Sequence, residues 1–229
     1  MFDVISTIMK PIEKIMTGLP GYLVVVLMMQ LLWWFGIHGP NVMGAVTSPF
    51  MTKMMAQNLA LYQSGEGVTA SGVFYTAGSQ NSIISGPFGA GWRCPTGSGI
   101  TMGLIIAVML FSKRDDFKAI AKLAIPCGIF NINEPIIFGI PMVMNALFAV
   151  TFFLAPIACV YCGYLVQSMG LCPLFVIDVP WTTPVGLFGF LASSGNIMGA
   201  IWQAVIILGV STLIYTPFVI ASNRQTEEA

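Results

Sequence analysis

Four apolar stretches in this sequence contain no Asp, Glu, Lys or Arg, and they limit the possible folds more than any other feature. They cover residues 20–37, 100–111, 136–165 and 197–220. About 20 consecutive apolar residues span the hydrocarbon core of a bilayer. Over the whole chain only 8% of residues are charged, whereas a globular chain carries about 25%. This is too little charge for a water-exposed surface, so the sequence predicts an all-α, polytopic transmembrane protein with broken or re-entrant helical segments.

The charges and cysteines exclude several other classes of protein. Nine basic and nine acidic residues give a formal net charge of zero, so we expect no nucleic-acid partner. Cys159 and Cys162 have CxxC spacing, but the only histidine, His38, is distant in sequence. We therefore interpret the cysteines as apolar packing residues, and we predict no metal site, no cofactor and no catalytic residue.

The basic residues indicate how the chain is oriented. Four of the nine lie within residues 113–122, which the positive-inside rule places in the cytoplasm. Two crossings follow, at 136–165 and 197–220, and they return the chain to the same side. Arg224, just after the last crossing, agrees with a cytoplasmic C-terminus.

Three other regions do not have the pattern of a simple spanning helix. Residues 1–19 have apolar residues at helical spacing with charges opposite, which predicts an amphipathic helix in the membrane interface. Residues 38–58 are interrupted by Gly and Pro, which predicts a turn and then a short helix. Residues 64–96 are rich in Gly, Ser and Thr, and form either an extramembrane loop or a re-entrant hairpin.

Two apolar segments are broken by proline and glycine. They are residues 124–141, AIPCGIFNINEPIIFGIP, and residues 170–184, GLCPLFVIDVPWTTP. Short interrupted segments of this kind are the best sequence indication of a transporter's binding site, because broken helices expose backbone dipoles to the substrate.

Glu134 is the main candidate for a functional residue. It lies in NINEP between long apolar sequences, and a carboxylate inside a bilayer costs at least about 2.5 kcal/mol. With the amides of Asn131 and Asn133 beside it, it suits a polyhydroxylated ligand. The alternative is a neutral Glu134 that hydrogen-bonds the backbone freed at Pro135.

Aromatic residues and one histidine complete the candidate set. Trp181 follows Asp178 and precedes two threonines, an arrangement that suits a sugar ring, although packing or interfacial anchoring is the alternative. Trp33 lies at the end of the first apolar stretch, as an anchor or a stacking surface. His38 follows it, either as an ordinary polar residue or as a group that orients or accepts a proton from a substrate hydroxyl.

Four separated motifs resemble one known family. They are FGIHGPN at 35–41, GSGITMGLIIAVMLFSK at 97–113, FNINEPIIFGIPMVMN at 130–145 and VPWTTP at 179–184. In this order they resemble the lactose/cellobiose family of enzyme IIC permeases of the phosphotransferase system. The resemblance covers nearly the whole chain and is to the C-terminal half of that family.

The resemblance implies a sugar permease in the bacterial cell membrane, for a β-linked disaccharide such as cellobiose, diacetylchitobiose or lactose. The permease presents the sugar to cytoplasmic IIB and IIA components, and a phosphocysteine on IIB phosphorylates the 6-hydroxyl, so the permease carries no phosphoryl group itself. The matching motifs imply five substrate-binding residues, which are Trp33, His38, Asn133, Glu134 and Trp181.

Members of that family are about twice as long, with a first half that forms the dimer interface. On this basis residues 20–229 correspond to the membrane-embedded sugar-binding half. A separate chain then supplies the first half, allowing a homodimer, or the product is a truncated remnant that at most binds sugar. A third alternative is an ion-coupled sugar transporter with Glu134 as proton carrier. A membrane-embedded hydrolase is disfavoured, because no nucleophile and base can be paired.

Overall fold

The computed structural model describes residues 14–65, 82–140, 142 and 145–227, and every regular element in these ranges is helical. In chain order the elements are α1 Leu19–Trp34, α2 Gly39–Ser64, α3 Gly86–Trp92, α4 Met102–Phe111, α5 Asp115–Ile129, α6 Glu134–Gly139, α7 Ala146–Ser168, α8 Leu187–Ala192, α9 Ile197–Ala204, a π-helical segment Val205–Val210, and α10 Ser211–Glu227. The all-α prediction is confirmed for this part of the chain. The interfacial helix predicted at residues 1–19 lies largely outside the described residues. Residues 14–17, which the structure does describe, are helical.

Within the part of the chain that the structure describes, two helices have the length and apolar composition to cross a membrane. They are α7, and the continuous helix from Ile197 to Asn223 that contains α9, the π-helical segment and most of α10. Their outer faces carry exposed apolar side chains such as Val205 and Leu213, the latter 73% exposed. This is the pattern expected of a face that meets lipid rather than water. The apolar helices α1 and α4 are shorter, with 16 and 10 residues.

The predicted crossing at residues 136–165 is divided in the structure. Its first residues belong to the short helix α6, and the long helix α7 begins only at Ala146. The Asn145 side chain caps α7 by accepting a hydrogen bond from the Leu147 backbone N–H (2.9 Å). The apolar pattern is continuous through this boundary, so hydrophobicity alone did not reveal it.

The predicted turn and short helix at residues 38–58 are wrong, because this region belongs to the 26-residue helix α2. Pro40 lies in its first turn, where no helical N–H is required. Pro49 lies inside the helix. Just before it, the hydroxyls of Thr47 and Ser48 donate to the carbonyls of Met43 and Gly44, at 3.0 and 2.6 Å, a type of contact that often bends helices.

The core consists of two main clusters of buried side chains. One includes Tyr22, Phe88, Trp92, Phe175 and Phe188, and the other includes Trp33, Leu104, Ile136, Phe148 and Tyr215. In the first, the rings of Trp92 and Phe175 stack with centroids 5.3 Å apart. Gly163 of α7 lies against the Trp92 ring so closely that a Cβ at this position would overlap it. This glycine lets α3 approach α7.

Neutral amide side chains bond backbone groups at the ends of short helices and in the irregular backbone between helices. Gln203 is fully buried, accepts from the backbone N–H groups of Gly186 and Gly189 (2.9 and 2.8 Å) and donates to Gly91 O (3.0 Å). Gln167 donates to Pro173 O (2.8 Å) in the second broken segment. Backbone groups away from water must find partners inside the protein, and an amide supplies them without adding charge.

The region at residues 64–96 is partly described. Helix α3 is buried within the helices, with Phe88 and Trp92 fully covered. Irregular backbone follows from residue 93 to 101. This part agrees with the re-entrant alternative, while residues 66–81 lie outside the described residues.

The C-terminal helix ends beside the basic turn between α4 and α5. Asn223 accepts from the Lys113 backbone N–H (2.8 Å) and donates to Phe111 O (3.0 Å). The two regions therefore lie on the same side of the molecule, as the even number of crossings predicted.

Candidate functional site

The turn between α5 and α6 brings the two broken segments together. Asn131 has a left-handed backbone (φ 67°), a conformation that asparagine adopts more readily than most residues. Its Oδ1 accepts from the Thr96 backbone N–H (2.6 Å), and its Nδ2 donates to Trp181 O and to Thr183 O (2.9 Å). NINEP, the turn at residue 96 and VPWTTP therefore meet at one amide.

Asn133 lies in a second contact between NINEP and the same turn. It is 4% exposed, and its Nδ2 donates to Ser98 O (2.6 Å). Gly97 packs on this amide with φ 84°, and a Cβ there would overlap the Asn133 side chain. The Asn133 nitrogen is thus engaged by the backbone, and its predicted contact with sugar stays a prediction.

Glu134 is the first residue of α6, and its side chain is exposed. Within the described ranges its carboxylate has no hydrogen-bonding or ionic partner. The contact with freed backbone that a neutral, structural Glu134 requires is therefore absent from this part of the chain. No described residue occupies the acceptor sites of this carboxylate.

His38 caps α2 through one ring nitrogen. Its Nδ1 accepts from the Asn41 backbone N–H (3.3 Å). In the neutral ring the proton is then on Nε2, which is a hydrogen-bond donor. The ring is exposed, so Nε2 is available to donate to a hydroxyl.

Trp33 supports this histidine. Its ring lies 4.9 Å from the His38 ring between centroids, with 53° between the planes. Trp33 is only 5% exposed and belongs to the same core cluster as Ile136 and Ile137 of α6. The end of α1 and the helix that begins with Glu134 thus share one core. The predicted contact of Trp33 with sugar stays a prediction.

Trp181 presents its indole away from the core. It lies in a turn closed by the Thr183 N–H on Pro180 O (2.9 Å), and the residue is 63% exposed. Its backbone carbonyl is held by Asn131, so the turn is fixed while the ring is free. Asp178, nearby in sequence, is also exposed.

The arrangement provides acceptor, donor and aromatic groups. The Glu134 carboxylate can accept hydrogen bonds, Nε2 of His38 can donate one, and the Trp181 indole has a flat apolar face. This combination suits a neutral ligand with many hydroxyl groups. Among the described side chains, no three His, Cys, Asp or Glu residues are grouped as a metal site requires.

The cross-links made by Asn131 to Thr96 and to the Trp181 turn were not predicted from the sequence. Thr96 itself has a positive φ of 62° and contributes its backbone N–H. The sequence contained one indication of this turn, an asparagine in a segment broken by glycine and proline. Asparagine is enriched in left-handed turns. Nothing in the sequence indicated which backbone groups it would bind.

Comparison with known proteins identifies the family. The family model "Phosphotransferase system, EIIC" matches residues 1–156. The cellobiose-specific EIIC component of Lactococcus lactis subsp. lactis (strain IL1403) is 35% identical, over 96% of this chain and 46% of the relative. The oligo-beta-mannoside-specific EIIC component of Bacillus subtilis (strain 168) is 34% identical, over 98% of this chain and 48% of the relative.

A solved structure has the same fold. The transporter ChbC, the IIC component from the N,N'-diacetylchitobiose-specific phosphotransferase system, superposes with a TM-score of 0.85 at 32% identity, covering 96% of this chain and 48% of that one. The chain spans about half the length of the curated relatives it matches. The matched family model and these similarities together show that the chain belongs to the EIIC family of the phosphotransferase system.

Proposed function

We propose that this chain is the sugar-binding half of a multi-pass permease in the bacterial cell membrane, which translocates a β-linked disaccharide for phosphorylation. The observation that carries the proposal is that Asn131, three residues before Glu134, bonds the backbone carbonyl of Trp181, whose indole is exposed, while the Glu134 carboxylate has no partner among the described residues. A carboxylate at membrane depth without a protein partner is costly, and a polar ligand gives it a function.

The substrate class rests on the site and on the relatives. Trp181 stacks on the C–H face of a pyranose ring, while Glu134 accepts from the ring hydroxyls and Nε2 of His38 donates. The named sugars of the relatives, cellobiose, oligo-β-mannoside and N,N'-diacetylchitobiose, are all β-linked. These names support a β-linked disaccharide as the substrate.

The proposed mechanism divides binding from chemistry. The permease holds the sugar between its broken segments and exposes it to alternate sides of the membrane. A cytoplasmic IIB component, charged by IIA, then transfers a phosphoryl group from its phosphocysteine to the 6-hydroxyl, which retains the sugar in the cell. The lactose-specific EIICB component of Staphylococcus aureus, 31% identical to this chain, supports IIB as the partner because its name combines both components. We further propose that the complete permease is a homodimer.

The test is the chemical form of the transported sugar. Membrane vesicles containing this chain together with the N-terminal half of a relative are loaded with phosphoenolpyruvate and the soluble phosphotransferase proteins, and take up labelled cellobiose. We expect cellobiose phosphate inside, dependent on IIB and unchanged by an uncoupler. Accumulation of free cellobiose that is abolished when the proton gradient is removed would instead show ion-coupled transport. Sugar binding with no accumulation would identify a remnant.

A further inference from the structure

Asn131 uses its whole amide to join three separated pieces of backbone. It is 7% exposed, and the Thr96 N–H, Trp181 O and Thr183 O are its partners. Both N–H donors and the acceptor are therefore engaged, so this side chain has no free donor to offer a ligand. An effect of Asn131 on sugar binding is therefore indirect, through the backbone groups that it bonds.

The three pieces of backbone depend on this contact. None of the partner groups of Asn131 at residues 96, 181 and 183 lies in a helix, and the described structure gives these groups no other hydrogen-bond partner. Asn133 adds a second cross-link to Ser98 on the same side of the turn. The loop at residues 96–98 is thus attached to NINEP through two residues, Asn131 and Asn133. The Trp181 turn is attached to NINEP through Asn131.

The separation between the two exposed ligand groups follows from this attachment. Glu134 is three residues after Asn131 and begins α6, while Trp181 is attached through its own carbonyl. The Trp181 turn belongs to a segment without helix from residue 170 to 186. The segment is anchored to α8 and α9, where the Val176 and Ile177 N–H groups donate to Ala192 O and the Gly186 N–H donates to Gln203. Among the described residues, the hydrogen bonds between its 181–183 turn and NINEP are those of Asn131.

On the basis of the proposed function, we infer that Asn131 is a positioning residue that sets the sugar site by fixing the Trp181 turn relative to Glu134. It contacts no sugar and acts through the indole and the carboxylate. Loss of its donors lets the turn move, and the aromatic face and the carboxylate then no longer engage one sugar together.

Two variants separate the roles of the Asn131 side chain and backbone. Asn131→Asp retains the acceptor for Thr96 and tolerates the left-handed backbone, but it replaces the donors to two carbonyls with a negatively charged oxygen. Asn131→Gly retains the backbone conformation and removes the amide. Asn223→Asp is the matched control, since Asn223 is also buried and also bridges two backbone groups, at the other end of the molecule.

The experiment measures cellobiose affinity of the full chain, purified in lipid nanodiscs, together with thermal unfolding. We expect Asn131→Asp and Asn131→Gly to weaken affinity by about tenfold or more, because the arrangement of the turn that binds sugar becomes a minor state. Asn223→Asp retains wild-type affinity while lowering the unfolding temperature to a similar extent. In the Trp181→Ala background, Asn131→Asp has a much smaller effect, because coupled residues are not additive.

A second readout does not depend on sugar. Acrylamide quenching of Trp181, obtained as the difference between each protein and its Trp181→Phe counterpart, reports the environment of the indole. We expect Asn131→Asp to change it and Asn223→Asp to leave it unchanged. Unaltered affinity and quenching in Asn131→Asp would overturn the inference, as would equal losses in the control. If the wild-type chain binds no sugar, the proposed function fails, and the quenching alone decides whether Asn131 positions Trp181.

Discussion

His38 has two roles that use different ring nitrogens. Nδ1 caps α2 by accepting from the Asn41 N–H, and Nε2 is left to donate to a ligand. His38→Asn supplies another good cap without the Nε2 donor, while His38→Ala removes both. We expect His38→Ala to destabilise the protein by about 1 kcal/mol relative to His38→Asn, and both variants to weaken sugar binding. Unfolding and binding isotherms of the two variants measure these effects, and full affinity in His38→Asn would remove Nε2 from the site.

The area of the Trp181 ring is expected to set part of the sugar affinity. Trp181→Ala removes the stacking face, and we expect an affinity loss of about 2 kcal/mol. Trp181→Phe retains a smaller aromatic face and loses less. Trp34→Phe is the control, because Trp34 is partly buried and packs against Phe153 of α7. Titration calorimetry with cellobiose gives the order of affinities, and unchanged binding in Trp181→Ala would show that the ring is not part of the site.

At the scale of elements, Gln203 joins α9 to α8 and α3. Gln203→Leu removes the partner of three backbone groups, two of them buried, at about 1–3 kcal/mol for each buried group left unsatisfied. We therefore expect this variant to unfold at a much lower temperature or to fail to accumulate in membranes. Gln57→Leu, on the exposed side of α2, carries the same substitution and serves as the control. Similar stability of the two variants would show that the Gln203 contacts contribute little.

Helix breaks were predicted from glycine and proline with mixed success. The segment at residues 170–184 was predicted to be broken rather than a simple spanning helix, because three prolines and an acid interrupt it, and the structure has no helix there. The same reasoning failed for α2, which has Pro40 in its first turn, where no helical N–H is required, and which continues through Pro49. Glycine and proline mark possible breaks, and the position of a proline within a helix contributes to whether a break occurs.

At the scale of the whole molecule, the topology depends on the basic turn and the C-terminal helix lying on one side. Asn223 holds the two together. Single cysteines placed at Lys118 and at Arg224, in a chain whose five native cysteines are replaced, should both react only with a reagent applied from the cytoplasm. Reaction of either one from outside would contradict this orientation.

The site was predicted by residue type more completely than by geometry. Glu134 and Trp181 were predicted as site residues because a carboxylate and a tryptophan in broken apolar segments are unusual and suit a sugar, and their contact with sugar stays a prediction. The turn at Asn131 that joins them depends on contacts across 35 to 52 positions in sequence. Such contacts leave no periodic pattern, so only the folded chain reveals them.

The most direct test of the account is equilibrium binding of labelled cellobiose to membranes containing the inserted chain, with Glu134→Gln beside it. The substitution preserves shape and removes the charged acceptor, so we expect affinity to fall by about 1.5–3 kcal/mol. Asp115→Asn, an exposed carboxylate at the start of α5, should bind like the wild type. Saturable binding that Glu134→Gln loses and Asp115→Asn retains is the predicted result, and equal binding by the wild type and Glu134→Gln would contradict the account.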